Sequence, residues 1–346
     1  MNEFKIIANS FDNQILNFLN KFNGASVYHH PAWLNAIQKT LNQKGFYLVS
    51  FNNSGEPDGL LPFVEVKDIL SRKKLISLPF STFCDPLIPK EKLFDAISFL
   101  QQQISDYRFI DLRFKENYQN QLKNFSVTSE YYTHILTLRN TIEETFNSFH
   151  PTSTRASIRR AEKNNLNIVW DNSIEHLNIF YKLEFILRKR LSLPPIPFKF
   201  FKNVFEELSK FNMISLPVVF KDNIPIAAGF ILNFKDTFYL EYTAADKNYF
   251  NLYPNHKLFF EVIKRAHNSG AKFIDFGRTS ITNNSLITFK EKWAAERIPL
   301  YHHSFPKISK IKSDNNFLKK NLLFINSHLP DFLLKLEGEI IYKFFI

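Results

Sequence analysis

The 346-residue sequence contains a single cysteine, Cys84, so it holds no internal disulfide framework and no multi-cysteine zinc or iron–sulfur site. One thiol fits a reducing, cytoplasmic compartment. Its 8 glycines are few for a glycine-rich phosphate cradle, and no GxGxxG, Walker, GxSxG or HExxH motif is present. The pairs His29–His30 and His302–His303 lack Cys, Asp or Glu at ligand spacing, so no metal is expected. No apolar run approaches the roughly 18 residues of a spanning helix. The first residues, MNEFKIIANS, lack the charged-then-apolar order of a secretory leader. These absences predict a cytoplasmic chain, at most peripheral to the inner face of a membrane.

Positive charge is abundant: 44 Lys and Arg stand against 33 Asp and Glu, a net of +11. Such an excess suits a polyanionic partner, whether nucleic acid, a phosphorylated carrier or an anionic membrane surface. A basic surface that only keeps the chain in solution is the other reading. The length accommodates two domains or one large one, and the 45% hydrophobic content can fill a core.

Periodicity gives an α/β order. Ile15, Phe18 and Leu19 fall at helical spacing, and Pro31 opens a helix with Trp33, Leu34, Ile37 and Leu41 on one side. Strands are expected at Phe46 to Phe51 and Asp58 to Val66, joined by the turn NNSGEP, and at Leu75 to Phe80. A helix follows with Leu93, Phe94, Ile97 and Leu100 inward, then the strand Arg108 to Phe114. The second half repeats this order: a hairpin (Ser215 to Phe220, Ile226 to Phe234), a strand (Thr237 to Ala245), a helix opened by Pro254, and the strand Lys272 to Phe276. The basic-Phe-Ile-Asp core at Arg108–Asp111 recurs at Lys272–Asp275, which argues for duplication of one α/β unit. We read an N-terminal domain over 1–150, a C-terminal domain over 151–305 and a tail over 306–346. The tail reads as two short amphipathic helices, packed back on the body or touching a membrane surface.

Between the halves, Arg155, Arg159 and Lys163 share one helical face, a candidate nucleic-acid contact or a solvated face. Arg188 and Arg190 precede the stiff loop LPPIPF, which either lines a groove or connects domains. In the stretch Ala271 to Tyr301, a strand ends at Gly277, where backbone can approach a ligand, and Arg278, Thr279 and Ser280 add donors.

Read together, Asp275–Arg278, Phe289–Lys290, Trp293 and Pro299–Tyr301 resemble the C-terminal signature of FemAB-like proteins, a branch of the GNAT acyltransferase superfamily that includes BioF2-like acetyltransferase domains. Tyr28–Trp33, Gly59–Pro62 and Ser77–Phe80 are similar to that family's first domain. The resemblance implies tandem GNAT-like domains, each a mixed, mostly antiparallel sheet flanked by helices, and transfer of an acyl group to an amine. In that family the donor is aminoacyl-tRNA and the acceptor a peptidoglycan precursor. Cys84–Asp85 and Ala294 depart from the family's Gly-Gly and Gly, which puts the acceptor in doubt.

The resemblance also assigns roles. Lys290 becomes the cation at the donor ester; Phe289 either stacks on a terminal base of the donor or is a core residue. The resemblance makes Tyr242 the acceptor-facing tyrosine, while the guanidinium forks of Arg278 and Arg190 suit acceptor phosphate or carboxylate on their own chemistry, and Gly277, Ser280 and Trp293 are candidate substrate contacts. Tyr239 and Tyr242, three apart, share a sheet face only if the strand is bulged. Asp275 is either a base or an ion-pair partner of Arg278. The pyrophosphate loop of ordinary GNAT enzymes, Arg/Gln-x-x-Gly-x-Gly/Ala, is missing, and Asn255-His256-Lys257 stands in its place. The expectation is therefore an acyltransferase with no tightly bound cofactor, using aminoacyl-tRNA or acyl-CoA as co-substrate on an amine of a cell-envelope precursor. An acyl-CoA-dependent N-acetyltransferase acting on a small molecule or polysaccharide sugar, and a non-catalytic RNA- or envelope-binding protein, are the alternatives.

Overall fold

The computed structural model describes residues 3–8, 11–68, 70–104, 106–307, 326 and 329–344. The first half runs β1 (Phe4–Ile7), α1 (Asn13–Lys21), α2 (Pro31–Leu41), β2 (Gly45–Phe51), β3 (Pro57–Lys67), β4 (Lys73–Ile76), α3 (Leu93–Gln103) and β5 (Phe109–Phe114). Next come β6 (Ser126–Thr137), α4 (Ile142–Ser148), a turn over Pro151–Arg155 and α5 (Ala156–Lys163). The second half runs β7 (Asn167–Trp170), α6 (Ile174–Arg190), α7 (Phe198–Leu208), β8 (Ile214–Ser215), β9 (Pro217–Lys221), β10 (Ile224–Phe234), β11 (Thr237–Ala245), α8 (Pro254–Asn268) and β12 (Phe273–Asp275). It closes with β13 (Thr279–Ser280), α9 (Asn284–Glu291), β14 (Glu296–Phe305) and α10 (Asp331–Phe344).

These strands form one mixed sheet in the order β1-β2-β3-β4-β5-β14-β6-β12-β11-β10-β9-β7, with β13 on β6 and β8 on β10. Each half is an antiparallel hairpin, a third strand, a crossover helix and a parallel strand: α3 joins β4 to β5, and α8 joins β11 to β12. A parallel pair needs such a crossover. The duplicated order read from the sequence is therefore a real topological repeat. Its last strands are exchanged. β6 follows β5 in the chain but pairs with β12, and β14 follows β12 but pairs with β5. β6 and β14 also pair with each other from Glu296↔Ile135 to Ser304↔Ser126, sealing the two halves into a continuous sheet.

Helix starts and buried faces follow the sequence closely. Pro31 and Pro254 each occupy the first turn, where the missing N–H costs nothing. α2 buries Trp33, Leu34, Ile37 and Leu41, and α8 buries Leu258, Phe259, Val262, Ile263 and Ala266. Two expectations fail. Phe94 is 49% exposed, because α3 turns Leu93, Ala96, Ile97 and Leu100 inward instead. The third strand stops at Ile76: Leu78 and Phe80 have φ of 98° and 62°, outside strand geometry. The segment bends there as Ser77 N–H donates to the Asp111 carbonyl and Ser81 Oγ to the Leu78 carbonyl. One of the two tail helices is α10; the other falls on residues outside the described set. Among the described residues, no helix is long and apolar enough to cross a membrane.

The expected bulge is present. Phe230 faces Tyr242 and Leu232 faces Tyr239, so Leu240 and Glu241 together oppose Ile231. Tyr239 and Tyr242 consequently pack into one core cluster, while Phe238 and Leu240 pack into the other on the far side of the sheet.

Candidate functional site

The site forms where the β11–β12 ladder ends. Parallel pairing stops at Tyr239↔Asp275. Beyond it, the bulge re-aims Glu241, and Gly277 turns away with φ of 70°. Gly277 is also tightly faced: a Cβ there would lie 3.1 Å from Glu241 Cα. Only glycine combines that backbone angle with that approach.

Three ionisable side chains converge on this point. Glu241 accepts from Tyr28 Oη and Thr82 Oγ1, both at 2.6 Å and both from the first half. Burial pushes its carboxyl above the ordinary range, against the opposing pull of those two donors. Asp275, 2% exposed, accepts from Thr133 Oγ1 at 2.6 Å and from Gly277 N–H at 2.8 Å, and its Oδ2 has no partner. Burial likewise raises its pKa. Lys290, 6% exposed, extends from α9 and donates from Nζ to the Gly277 carbonyl at 2.7 Å. Burial lowers its pKa to about 8, although Asp275 and Glu241 favour the charged form. Such opposed shifts in one place are typical of reaction centres.

Two cavities open near this point. The larger, about 670 Å³, is walled by Glu241, Tyr242, Arg278 and Ser280 of the second half, Phe80 and Arg113 of the first, and Tyr131 and His302 of the exchanged strands. Glu184 and Arg188 of α6 and Tyr342 of α10 complete it. Arg188 Nε donates to Glu184 Oε1 at 2.8 Å, and Arg113 pairs with Asp111 at 3.2 Å. Arg278 lies over the Tyr131 ring at 4.6 Å and joins no salt bridge among the described residues. His302 stacks on Tyr131, its Nε2 has no partner, and burial lowers its pKa to about 4. The second cavity, about 590 Å³, is lined by Ser153 and Ser157 beside α5, His256 of α8, and Thr288, Phe289 and Lys292 of α9. Phe289 packs with the cluster on the far side of the sheet from Tyr242. Lys290 and Gly277 line neither space; Gly277 precedes Arg278 of the first in the chain, and Lys290 follows Phe289 of the second.

The sequence-derived candidates divide accordingly. Tyr242, Arg278 and Ser280 wall the large cavity, and Tyr242 Oη reaches the Phe80 carbonyl at 3.4 Å. Gly277 and Lys290 are buried, bonded to each other and outside its wall, and Phe289 lines the second space. Three readings need correction. Trp293 is fully buried against Phe149, Phe259 and Phe289, so it is a core residue out of substrate reach. Arg190 points away over Phe250, because the helical turn gives the inward direction to Arg188, two positions earlier. Asp275 pairs with Thr133 and Gly277 rather than Arg278. On the basic helix, Arg159 and Lys163 are exposed, while Arg155 is half-buried and donates to Asn147 Oδ1 at 3.3 Å. The first histidine pair is structural: His29 Nδ1 bonds Ser26 and His30 Nδ1 accepts from Ala32 N–H, capping α2.

Sequence reasoning missed Glu241, Tyr28, Thr82, Arg113 and His302. Only Glu241 left a signal, as the carboxylate between two tyrosines spaced three apart.

Residues 150–290 match the family model described as an acetyltransferase (GNAT) domain. No curated protein matches the sequence. Among solved structures, FemX superposes with a TM-score of 0.67 at 14% identity, covering 90% of this chain and 98% of its own. L-PGS from Bacillus licheniformis gives 0.55 at 13%, covering 93% and 98%, respectively. A tandem GNAT protein from the clavulanic acid biosynthesis pathway gives 0.52 at 8%, covering 89% and 100%. Residues 150–290 therefore match a GNAT acetyltransferase domain, and the chain as a whole shares the fold of FemX, of L-PGS and of a tandem GNAT protein.

Proposed function

We propose that the protein transfers an aminoacyl or acyl group to an amine of a cell-envelope precursor such as a peptidoglycan precursor, with the acceptor in the large cavity and the donor arriving from the α5–α9 side. The observation that carries this reading is the buried Lys290 ammonium on the Gly277 carbonyl, within the field of the Asp275 and Glu241 carboxyls, the latter a wall of the large cavity.

In the transfer, the amine nitrogen adds to the donor carbonyl carbon, a C–N bond forms, and negative charge gathers on the carbonyl oxygen. A fixed cation in a water-poor site stabilises that charge by about 3 kcal/mol; Lys290 fills this role while protonated. Glu241, its carboxyl poised above the ordinary range, accepts the proton that the amine loses. The C–O bond of an ester donor, or the C–S bond of a thioester, then breaks, and the leaving oxygen or sulfur takes up a proton. Tyr242 and Ser280 border the acceptor, and Arg278, with no ion-pair partner among the described residues, is available to hold its carboxylate or phosphate. Phe289 offers a ring to a base of the donor, and α5 presents the exposed Arg159 and Lys163 to a polyanion. Membrane contact through the tail remains part of the proposal for a lipid-borne precursor.

A titration with tRNA and, separately, acetyl-CoA at several salt concentrations tests the donor. Salt-dependent tRNA binding supports an aminoacyl-tRNA donor, since phosphate contacts release counterions. Saturable acetyl-CoA binding without tRNA affinity would replace it with acyl-CoA.

A further inference from the structure

We propose that Tyr342, carried into the large cavity by the C-terminal helix α10, is a specificity-determining residue that positions Arg188 to hold the anionic group of the acceptor. This rests on the reading of that cavity as the acceptor site.

α10 docks in a way that burial alone does not explain. Several of its large apolar side chains face outward, Phe332 69% exposed, Leu336 53% and Ile340 44%, while Leu334 is buried and Ile341 borders the cavity. Facing inward are Leu334, Gly338 and Tyr342. A helix held for stability alone buries its apolar stripe, and a helical glycine costs about 1 kcal/mol relative to alanine. Gly338 has a steric reason: a Cβ there would lie 2.2 Å from the Pro195 carbonyl oxygen. The α10 backbone therefore rests directly on the proline loop between α6 and α7. Four residues onward, one turn along the same face, Tyr342 enters the cavity.

There its ring lies parallel to Phe80, centroids 5.7 Å apart at 15°, and Phe80 in turn stacks on Phe200 at 4.4 Å. Its phenol lies beside the Arg188 guanidinium, whose Nε is bound to Glu184. A guanidinium has five N–H donors. With Glu184 on one side and the phenol on another, its orientation is fixed while donors remain for a carboxylate or phosphate entering the cavity.

The test uses the full chain and the variants Tyr342→Phe, Tyr342→Ala and Gly338→Val. Calorimetric titration with inorganic pyrophosphate and with the tripeptide L-Lys-D-Ala-D-Ala asks whether the anion is phosphate or carboxylate. We expect one probe to bind, with affinity about tenfold weaker in Tyr342→Ala and Gly338→Val and only a few-fold weaker in Tyr342→Phe. In the transfer assay, acceptor KM rises by the same factors while donor KM stays constant. Equal probe affinity in wild type and Tyr342→Ala, or no binding of either probe by wild type, would overturn the proposal. So would equal rises in donor and acceptor KM, the mark of a merely structural residue. If no donor supports transfer but probe binding depends on Tyr342, the functional reading fails and this one stands. If transfer occurs with acceptor KM indifferent to Tyr342, the reverse holds.

Discussion

Replacing Lys290 by methionine separates chemistry from stability. The shift of the lysine from 10.5 to about 8 corresponds to roughly 3 kcal/mol against the charged form in the fold. Methionine removes that penalty but also the 2.7 Å hydrogen bond to the Gly277 carbonyl, whose loss costs about 1–3 kcal/mol. The two effects offset, so stability at pH 7 changes by no more than about 2 kcal/mol. Transfer, by contrast, slows about 10²- to 10³-fold if the ammonium stabilises the oxyanion. The pH dependence follows from the direction of the shift. Between pH 8 and 10.5 the unfolded chain keeps the Lys290 proton that the folded chain has released. Wild type therefore gains stability over Lys290→Met as pH rises, by about 1.4 kcal/mol per unit, and below pH 8 the difference is constant. Transfer by wild type falls as pH passes 8. Urea unfolding of both proteins at pH 7, 8, 9 and 10, with single-turnover transfer at each pH, measures both effects. Parallel stability curves would show that the lysine is not buried, and equal turnover would remove it from the mechanism.

Glu241→Gln should lower kcat by about 10²–10⁴ and abolish the acid limb of the pH–rate profile, because wild-type activity rises as a carboxyl held above the ordinary range deprotonates. Gly277→Ala forces a side chain onto a φ of 70° and to within 3.1 Å of Glu241 Cα, so thermal unfolding should register a loss of about 1–2 kcal/mol together with slower transfer. Arg278→Gln removes an exposed guanidinium that has no ion-pair partner among the described residues; stability should move by less than about 0.5 kcal/mol while acceptor KM rises. Changing Arg155, Arg159 and Lys163 together to glutamine should flatten the slope of log affinity for tRNA against log salt by about 2–3, read by titration.

The repeat was legible because α2 and α8 announce themselves by proline at the first turn and an apolar face, and β2–β3 and β9–β10 by turns between apolar runs. The strand exchange was not. β6 is partly exposed and polar over much of its length, and β14 begins in exposed charged residues, so neither shows a clean alternation. Which strand lies beside β5 is in any case decided by partners far along the chain. At the site, the Gly277 turn was visible as local pattern, whereas Lys290 stood out only through the family resemblance of the Phe289–Lys290 pair. Glu241 was hidden because its role comes from Tyr28 and Thr82, 213 and 159 residues away. Arg188 and Arg190 differ only by rotation about α6, which the flanking sequence left unsettled.

The most direct measurement of the central claim is a transfer assay in which wild type and Lys290→Met are given mixed aminoacyl-tRNAs, acyl-CoAs and envelope-precursor amines, with the acceptor pool read by mass spectrometry. The account predicts an amide-linked mass increment on an amine acceptor with wild type, lowered at least 100-fold with Lys290→Met. No increment from any donor, or equal increments from both proteins, would contradict it.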